Sequence, residues 1–209
     1  MNYDFLEGGV KIIQAEGGYH FSSDAIALAK FFVCKKSATV IDIGCGSGVL
    51  TLFIKNAFNP KKIVAVDINP RAAELCAENV KLNEFENIEV KTADARELYR
   101  EMPNLADAII CNPPYFNNGK KSANETKLSA RHDDTLTLTD LAVAATRLLK
   151  CGGEVFFCVP SARTAEAVQI FQNNNLAIKQ IKFISNPKGV YLALLKAKYC
   201  GKNAVEIII

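Results

Sequence analysis

The feature of this sequence that most constrains its fold is a regular alternation of short apolar runs with amphipathic stretches from Thr39 onward. This alternation is typical of βαβ units, which build a mainly parallel sheet with helices on both faces. Each run is almost continuously apolar, as expected for strands that are covered on both faces. The sequence therefore predicts a doubly wound α/β fold whose first five strands are Thr39–Ile43, Lys62–Asp67, Ile88–Thr92, Ala106–Cys111 and Gly153–Val159.

The two ends of the chain depart from this alternation. Apolar runs over Leu176–Ile184 and Tyr191–Ala197 flank the turn signal Asn186-Pro187-Lys188-Gly189, which predicts a closing hairpin and an antiparallel strand at one edge of the sheet. Residues 1–36 form a lead that is too short for a separate domain. We expect it to be a lid over the ligand-binding end of the sheet, with a purely structural extension as the alternative, and residues 37–209 to form the main domain.

Composition excludes several classes of protein. The first twenty residues contain three acidic residues and no apolar run of signal-peptide length, and no stretch approaches the length needed to span a bilayer, so we expect a cytoplasmic protein. Seven cysteines form no C-x-x-C pair, which favours a reducing compartment with cysteine as a core residue. Two histidines are not spaced with cysteines as zinc ligands would be, so no metal is expected.

A glycine-rich loop follows the first strand, in Asp42-Ile43-Gly44-Cys45-Gly46-Ser47-Gly48. Open α/β sheets bind nucleotides at such a strand-to-helix turn, and glycine allows the backbone to turn tightly and approach a ligand. The spacing is G-x-G-x-G, whereas loops that bind a dinucleotide pyrophosphate have G-x-G-x-x-G. Because the acid at Asp42 suits a positively charged ligand better than a phosphate, the loop favours S-adenosylmethionine, with a plain tight turn as the alternative.

Two further aspartates follow the next two strands. Asp67 ends the second strand, where such folds place a carboxylate that accepts hydrogen bonds from both ribose hydroxyls. Asp94 follows the third strand and is expected to accept a hydrogen bond from the adenine amine of the cofactor. Either residue alone could be a helix cap. Together with the glycine loop, however, the two aspartates supply the hydrogen-bond acceptors that the ribose and the adenine of one nucleoside need.

The fourth strand ends in Asn112-Pro113-Pro114-Tyr115, the most informative tetrapeptide of the chain. The exocyclic amine of adenine and the amide of glutamine are poor nucleophiles, because their lone pairs are delocalised. We expect the side-chain oxygen of Asn112 and the backbone oxygen of Pro113 to draw such an NH2 group out of plane. Tyr115 would stack on the planar group, so that orientation and hydrogen bonding replace a strong base.

Charge is distributed unevenly along the chain, whose overall charge is only +3. Up to Tyr115 there are 12 basic and 15 acidic residues, and from Phe116 onward 13 basic and 7 acidic. This asymmetry can give a basic face for a polyanion, although scattered solubilising lysines are the alternative. Contacts with an RNA backbone are expected in the long segment Phe116–Asp134 and near the hairpin, at the basic residues Lys120, Lys121, Lys127, Arg131, Lys179, Lys182 and Lys188.

With these motifs in view, the sequence resembles a known group of enzymes. The pairing of D-I-G-C-G-S-G with N-P-P-Y resembles the class I amino-methyltransferases. A narrower resemblance, to the bacterial valine-tRNA (adenine-6-amino) methyltransferase family, covers nearly the whole chain. It rests on the segments Gly18-Tyr19-His20-Phe21-Ser22-Ser23-Asp24, Asp67-Ile68-Asn69-Pro70, Asn112-Pro113-Pro114-Tyr115-Phe116 and Ala130-Arg131-His132-Asp133.

This resemblance implies a Rossmann-like sheet of seven strands, S-adenosylmethionine as the methyl donor and tRNA as the substrate, modified in the anticodon loop. The expected catalytic residues are Asn112, Pro113, Pro114 and Tyr115. Cofactor contacts are expected from Tyr19, Asp42, Gly44, Cys45, Gly46, Gly48, Asp67, Ile68, Asp94, Ala95 and Asn112. Substrate contacts are expected from Tyr115, Phe116 and Arg131.

Two other functions remain open from the sequence. A protein glutamine methyltransferase would use the same tetrapeptide, but such enzymes resemble this chain only in the catalytic domain and usually carry a helical N-terminal domain. A non-catalytic assembly factor that binds S-adenosylmethionine or RNA is the other, and the intact tetrapeptide at Asn112 argues against it. We expect a monomer, although the sequence leaves the oligomeric state open.

Overall fold

The computed structural model describes residues 3–14, 22–113, 136–202 and 204–208. Its strands are β1 (Asp4–Phe5), β2 (Lys11–Ile12), β3 (Thr39–Ile43), β4 (Lys62–Asp67), β5 (Ile88–Thr92), β6 (Ala106–Cys111), β7 (Leu149–Pro160), β8 (Leu176–Asn186), β9 (Gly189–Tyr199) and β10 (Glu206–Ile208). Its α-helices are α1 (Ser23–Phe31), α2 (Val49–Phe58), α3 (Pro70–Leu82), α4 (Leu138–Leu148) and α5 (Thr164–Asn173).

One eight-stranded sheet organises the chain, in the order β10-β8-β9-β7-β6-β3-β4-β5. The strands β7, β6, β3, β4 and β5 run parallel to one another, with β3 paired to β4 on one side and to β6 on the other. The chain therefore leaves β3 in one direction and later returns to its opposite side. This reversal point is where open α/β sheets bind their ligands.

The predicted parallel strands β3 to β6 are confirmed with the bounds that the apolar runs gave. At the start of α3, the side chain of Asn69 accepts a hydrogen bond from the backbone amide of Arg71, and Pro70 occupies the first turn. Both residues suit that position, since a side-chain oxygen satisfies an exposed amide and proline needs no donor there. Strand β7 begins four residues earlier than its apolar run indicates.

The C-terminal hairpin forms as predicted, but its place in the sheet differs from the prediction. Strand β9 is antiparallel to both β7 and β8 and lies between them, so the expected edge position was wrong. Leu192 to Leu195 are all buried, which explains why β9 occupies an interior position. The outer edge beyond β8 is covered by β10, a short parallel strand that adds an eighth member to the sheet.

Helices cover both faces of the sheet. Buried residues of α1, α2 and α3 form one apolar cluster with one face, and those of α4 and α5 form a second cluster with the other. Adjacent side chains of β7 lie on opposite faces of the sheet, since Phe156 belongs to the first cluster and Phe157 to the second. In the part of the chain that the structure describes, no helix is both long and apolar enough to cross a membrane.

The N-terminal lead packs against the first cluster instead of forming a unit of its own. β1 and β2 pair as a two-stranded antiparallel sheet, and Leu6, Val10 and Ile12 are buried among the helices of the domain. Helix α1 follows at Ser23, capped by the side chain of Ser22. The expected role of the lead as a lid stays a prediction, since residues 15–21 lie outside the described residues.

Candidate active site

A cavity of about 210 Å³ lies at the carboxyl ends of four neighbouring parallel strands, β6, β3, β4 and β5. It sits at the reversal point of the sheet. Its walls are formed by Ile43, Gly44, Val66, Asp67, Ile68, Ala93, Asp94, Ala95, Arg96, Cys111, Asn112, Pro113 and Leu136. Seven of these are predicted site residues, namely Gly44, Asp67, Ile68, Asp94, Ala95, Asn112 and Pro113.

The glycine-rich loop crosses the end of β3 in an unusual backbone conformation. Gly44, Gly46 and Gly48 all have positive φ angles, which a residue with a side chain rarely adopts. A Cβ at Gly48 would lie 2.8 Å from Cys76 Sγ of α3, so this glycine also permits close packing of the loop on the helix. Space next to Gly44 and Gly46 is open, which leaves room for a ligand beside the loop.

Asp67 joins the glycine loop to the end of β4. Its Oδ2 atom accepts a hydrogen bond from the Gly46 amide at 2.9 Å, and its Oδ1 atom accepts one from the Asn69 amide at 2.9 Å. The loop is tied to the same strand by its backbone, since the Gly44 and Cys45 amides both donate to the Val66 carbonyl. The Asp67 carboxylate is thus fixed on the cavity wall, and each oxygen retains lone pairs for a ligand.

Asp42 occupies a different position from the other predicted acids. It is completely buried and does not line the cavity; its Oδ2 atom accepts a hydrogen bond from the Thr51 hydroxyl of α2 at 2.6 Å. Among the described residues, its Oδ1 atom has no hydrogen-bond partner. Burial raises the pKa of this carboxyl to about 7, and the charge of Asp67 acts in the same direction. A direct contact between Asp42 and a cofactor stays a prediction.

Asp94 is held by Arg96, a residue that sequence reasoning did not single out. The Arg96 Nε atom donates to both carboxylate oxygens of Asp94, at 3.0 and 2.8 Å, and the Arg96 backbone amide adds a third bond. This guanidinium keeps the pKa of the Asp94 carboxyl below its usual value. The carboxylate is therefore anionic on the cavity wall and can accept a hydrogen bond from an amine.

Asn112 and Pro113 follow β6 and line the cavity opposite the aspartates of β4 and β5. The Asn112 Oδ1 atom accepts a hydrogen bond from Cys158 Sγ at 3.1 Å. Cys158 is fully buried on the adjacent strand β7, at the position that follows the Cys111 and Phe157 pair. The side-chain amide is thus oriented by a donor from the core of the protein.

Several predicted site residues do not line the cavity or cannot be placed. Cys45, Gly46 and Gly48 belong to the glycine loop but lie outside the cavity wall. Other predicted residues lie outside the described residues, namely Tyr19, Pro114, Tyr115, Phe116 and Arg131, together with Lys120, Lys121 and Lys127. Lys179 and Lys182 lie on β8 and Lys188 lies in the turn before β9, and their contacts with RNA stay predictions. In the parts of the chain that can be described, histidine, cysteine and acidic side chains form no cluster that could hold a metal ion.

The cavity suits a nucleoside with a positively charged substituent and no phosphate. The carboxylates of Asp67 and Asp94 line it as hydrogen-bond acceptors. Ile68, the residue after Asp67, also lines the cavity, and its apolar side chain is 41% exposed. A dinucleotide would need donors for its pyrophosphate, whereas the guanidinium of Arg96 on this wall is bonded to Asp94. The acceptors and the open space beside the glycines therefore fit S-adenosylmethionine.

The order of the sheet and the position of the cavity are those of class I methyltransferases. The family model described as methyltransferase small domain matches residues 21–184, a span that contains β3 to β8 almost completely.

Comparison with individual proteins shows which family of methyltransferases the chain belongs to. The chain is 27% identical over 199 residues to a tRNA1(Val) (adenine(37)-N6)-methyltransferase of Pseudoalteromonas translucida, covering 94% of this chain and 84% of the relative. It is 32% identical over 168 residues to a protein of the same name from Photobacterium profundum, covering 78% and 70% of the two chains. The chain belongs to the methyltransferase small-domain family and, within it, to the family of tRNA1(Val) (adenine(37)-N6)-methyltransferases.

Solved structures agree in fold. The crystal structure of M. jannaschii TYW2 in complex with AdoMet superposes with a TM-score of 0.66 at 21% identity, covering 92% of this chain and 83% of that chain. The structure of TrmN from Thermus thermophilus superposes with a TM-score of 0.62 at 23% identity, covering 84% and 48%. The comparison therefore supports the same sheet architecture in all three proteins.

Proposed function

We propose that this protein transfers a methyl group from S-adenosylmethionine to the exocyclic 6-amino group of an adenine in tRNA. The observation that carries the proposal is the placement of Asn112 and Pro113 on the same cavity as Asp67 and Asp94. The residues proposed to bind the nucleoside of the cofactor and those proposed to accept hydrogen bonds from the substrate amine thus line the same cavity. Membership of the tRNA1(Val) (adenine(37)-N6)-methyltransferase family supports this assignment.

S-adenosylmethionine supplies a methyl group that is electrophilic because it is bound to a sulfonium. Asp67 would accept hydrogen bonds from the ribose hydroxyls of this cofactor, and Asp94 would accept one from its adenine amine. Ile68 would contact the adenine ring with its exposed apolar side chain. All three residues line the cavity where β4 and β5 end.

The acceptor amine would be oriented by the residues that follow β6. Asn112 Oδ1 and the Pro113 carbonyl would each accept a hydrogen bond from one N–H of this amine. These two bonds turn the nitrogen lone pair out of conjugation with the ring. An amide oxygen can accept more than one hydrogen bond, so the bond from Cys158 is compatible with a second bond from the acceptor amine. As the new nitrogen–carbon bond forms, the carbon–sulfur bond breaks and the nitrogen releases one proton to solvent. No strong base is needed.

The relatives' names specify adenine 37 of tRNA1(Val), and we propose this substrate for the present chain. An adenine in a loop is already partly unstacked, so moving it into a cavity costs less than extracting it from a duplex. The excess of basic residues after Phe116 supports an RNA partner. Binding of tRNA is therefore expected to weaken steeply as salt concentration rises, because neutralising phosphates releases counterions.

The experiment that tests this proposal supplies labelled S-adenosylmethionine and the purified protein to total RNA and to total protein from a strain that lacks the gene. Label in RNA that is recovered as N6-methyladenosine, in tRNA1(Val), is the expected result. Label recovered as methylglutamine in protein would assign the other acceptor that the tetrapeptide serves. Cofactor binding without transfer to either acceptor would show a non-catalytic protein.

A further inference from the structure

Three polar residues are completely buried in the part of the chain that the structure covers, namely Asp42, Thr51 and Asn79. Asp42 and Thr51 bond to each other. Asn79 lies on α3, away from the cavity wall, and the chemistry proposed above does not use it. A buried amide is retained only where its donors and acceptor are satisfied, so its partners indicate what it does.

Asn79 and Asn83 bind the N-terminal lead through its backbone. Asn79 accepts a hydrogen bond from the Ile13 amide at 2.7 Å and donates to the Ile13 carbonyl at 2.9 Å. One helical turn later, Asn83 accepts from the Lys11 amide at 2.8 Å and donates to the Lys11 carbonyl at 2.7 Å. A side-chain amide has the donor and acceptor of a peptide group, so the two asparagines act as a partner strand for residues 11–13.

Only Asn79 also reaches the glycine-rich loop. Its Nδ2 atom donates a second hydrogen bond, at 2.9 Å, to the carbonyl of Ser47, which lies between Gly46 and Gly48. The Nδ2 atom of Asn83 instead donates its second hydrogen bond to the Asn79 carbonyl within α3. Asn79 therefore joins three elements, the N-terminal lead, the loop after β3 and helix α3, whereas Asn83 joins two.

We propose that Asn79 is a positioning residue for the cofactor loop and that it couples the seating of the N-terminal lead to cofactor affinity. The loop has three glycines, so its backbone conformation is weakly specified unless it is held from outside. Asp67 holds the Cys45–Gly46 peptide of the loop at the Gly46 amide, and Asn79 holds the Ser47–Gly48 peptide at the Ser47 carbonyl. Fixing both peptides before binding reduces the ordering that the cofactor must impose.

This coupling is reciprocal. If a seated lead strengthens cofactor binding through Asn79, the bound cofactor must stabilise the seated lead by the same factor. The effect is visible at one atom, because the Ile13 amide hydrogen is bonded to Asn79, whereas the Lys11 amide hydrogen is bonded to Asn83. The inference rests on the proposed binding of S-adenosylmethionine at this loop.

The test compares Asn79→Ala with Asn83→Ala. Each variant removes one pair of side-chain hydrogen bonds to the backbone of the lead, but only Asn79→Ala also removes a hydrogen bond to the glycine-rich loop. We expect Asn79→Ala to raise the Kd for S-adenosylmethionine about fivefold or more, since it leaves buried groups unsatisfied. Asn83→Ala should change the Kd by about twofold at most. In turnover assays, Asn79→Ala should raise KM for the cofactor with kcat at saturation retained. Equal Kd values for the two variants would overturn the proposal.

A second measurement needs no variant and stays informative if Asn79→Ala does not fold. Hydrogen exchange of the wild-type protein is followed with and without S-adenosylmethionine, and exchange at the Ile13 amide is expected to slow on binding. Unchanged exchange at Ile13 in a protein that binds the cofactor would overturn the coupling alone. A wild-type protein that binds no S-adenosylmethionine would instead overturn the proposed function, so the two failures are distinguishable.

Discussion

The thiol of Cys158 donates a hydrogen bond to the side-chain oxygen of Asn112, with 3.1 Å between the sulfur and the oxygen. The two ends of an asparagine amide have nearly the same shape, so a neighbouring donor decides which end faces it. Because Cys158 is fully buried on β7, the amide oxygen is oriented from the interior of the protein. The residue proposed to bind the acceptor amine is thus positioned by a side chain that does not line the cavity.

Removing this thiol should slow methyl transfer without weakening cofactor binding. Cys158→Ala is expected to lower kcat by about two- to tenfold, the range for one neutral hydrogen bond. Cys158→Ser should retain most of kcat because its hydroxyl also donates. Cys34→Ala, which removes a partly buried thiol elsewhere, is the control for lost packing. An equal loss of kcat in the alanine and serine variants of Cys158 would contradict a role for the donor.

The bond network between Arg96 and Asp94 should contribute to cofactor affinity. Arg96→Ala removes the guanidinium that holds the Asp94 carboxylate and is expected to raise the Kd for S-adenosylmethionine about tenfold, as for a lost charge-assisted bond. Titration calorimetry without RNA isolates this effect. Arg100→Ala is the matched control, because Arg100 pairs with Glu97 on the exposed surface. If both variants bind the cofactor equally, Arg96 does not act through Asp94.

Asp42 should give the folded protein a pH-dependent stability. Its pKa of about 7 in the folded state lies above the ordinary 3.8, so the folded protein keeps a proton that the unfolded chain loses. The free energy of unfolding should therefore fall as pH rises from about 4 to about 7, by up to about 4 kcal/mol, and then level off. Urea unfolding across this window measures the slope.

Two variants test the assignment of this slope to Asp42. Asp42→Asn cannot ionise, so its free energy of unfolding should lack this dependence on pH. Thr51→Val removes the hydroxyl whose hydrogen bond lowers the pKa, and should move the end of the slope to higher pH. A slope in Asp42→Asn that matches the wild-type slope would assign the titration to another group.

Much of the fold follows from local sequence, because a covered parallel strand must be a short apolar run between turns. For this reason β3 to β6 have the predicted bounds. The residues at their carboxyl ends, such as Asp67, Asp94 and Asn112, share one cavity because parallel strands end at the same edge of a sheet. Strand order carries less local information, so the interior position of β9 was not predicted.

Contacts between distant parts of the chain were also beyond sequence reasoning. Asn112 and Cys158 are 46 residues apart, and Asn79 and Ile13 are 66 apart. Neither Cys158 nor Asn79 belongs to a motif, and each reads as an ordinary residue of its strand or helix. Arg96 could have been noticed, because it follows Asp94 by two residues and a basic side chain there can reach the carboxylate.

The most direct test of the central claim is a single-turnover assay of Asn112→Ala with tRNA1(Val) and saturating S-adenosylmethionine. Loss of the acceptor oxygen should lower the rate of methyl transfer about a thousandfold or more, while the Kd for the cofactor stays within several-fold of wild type. Asn112→Asp, which keeps acceptor oxygens, should retain measurable transfer. A wild-type rate in Asn112→Ala would contradict the role assigned to this amide.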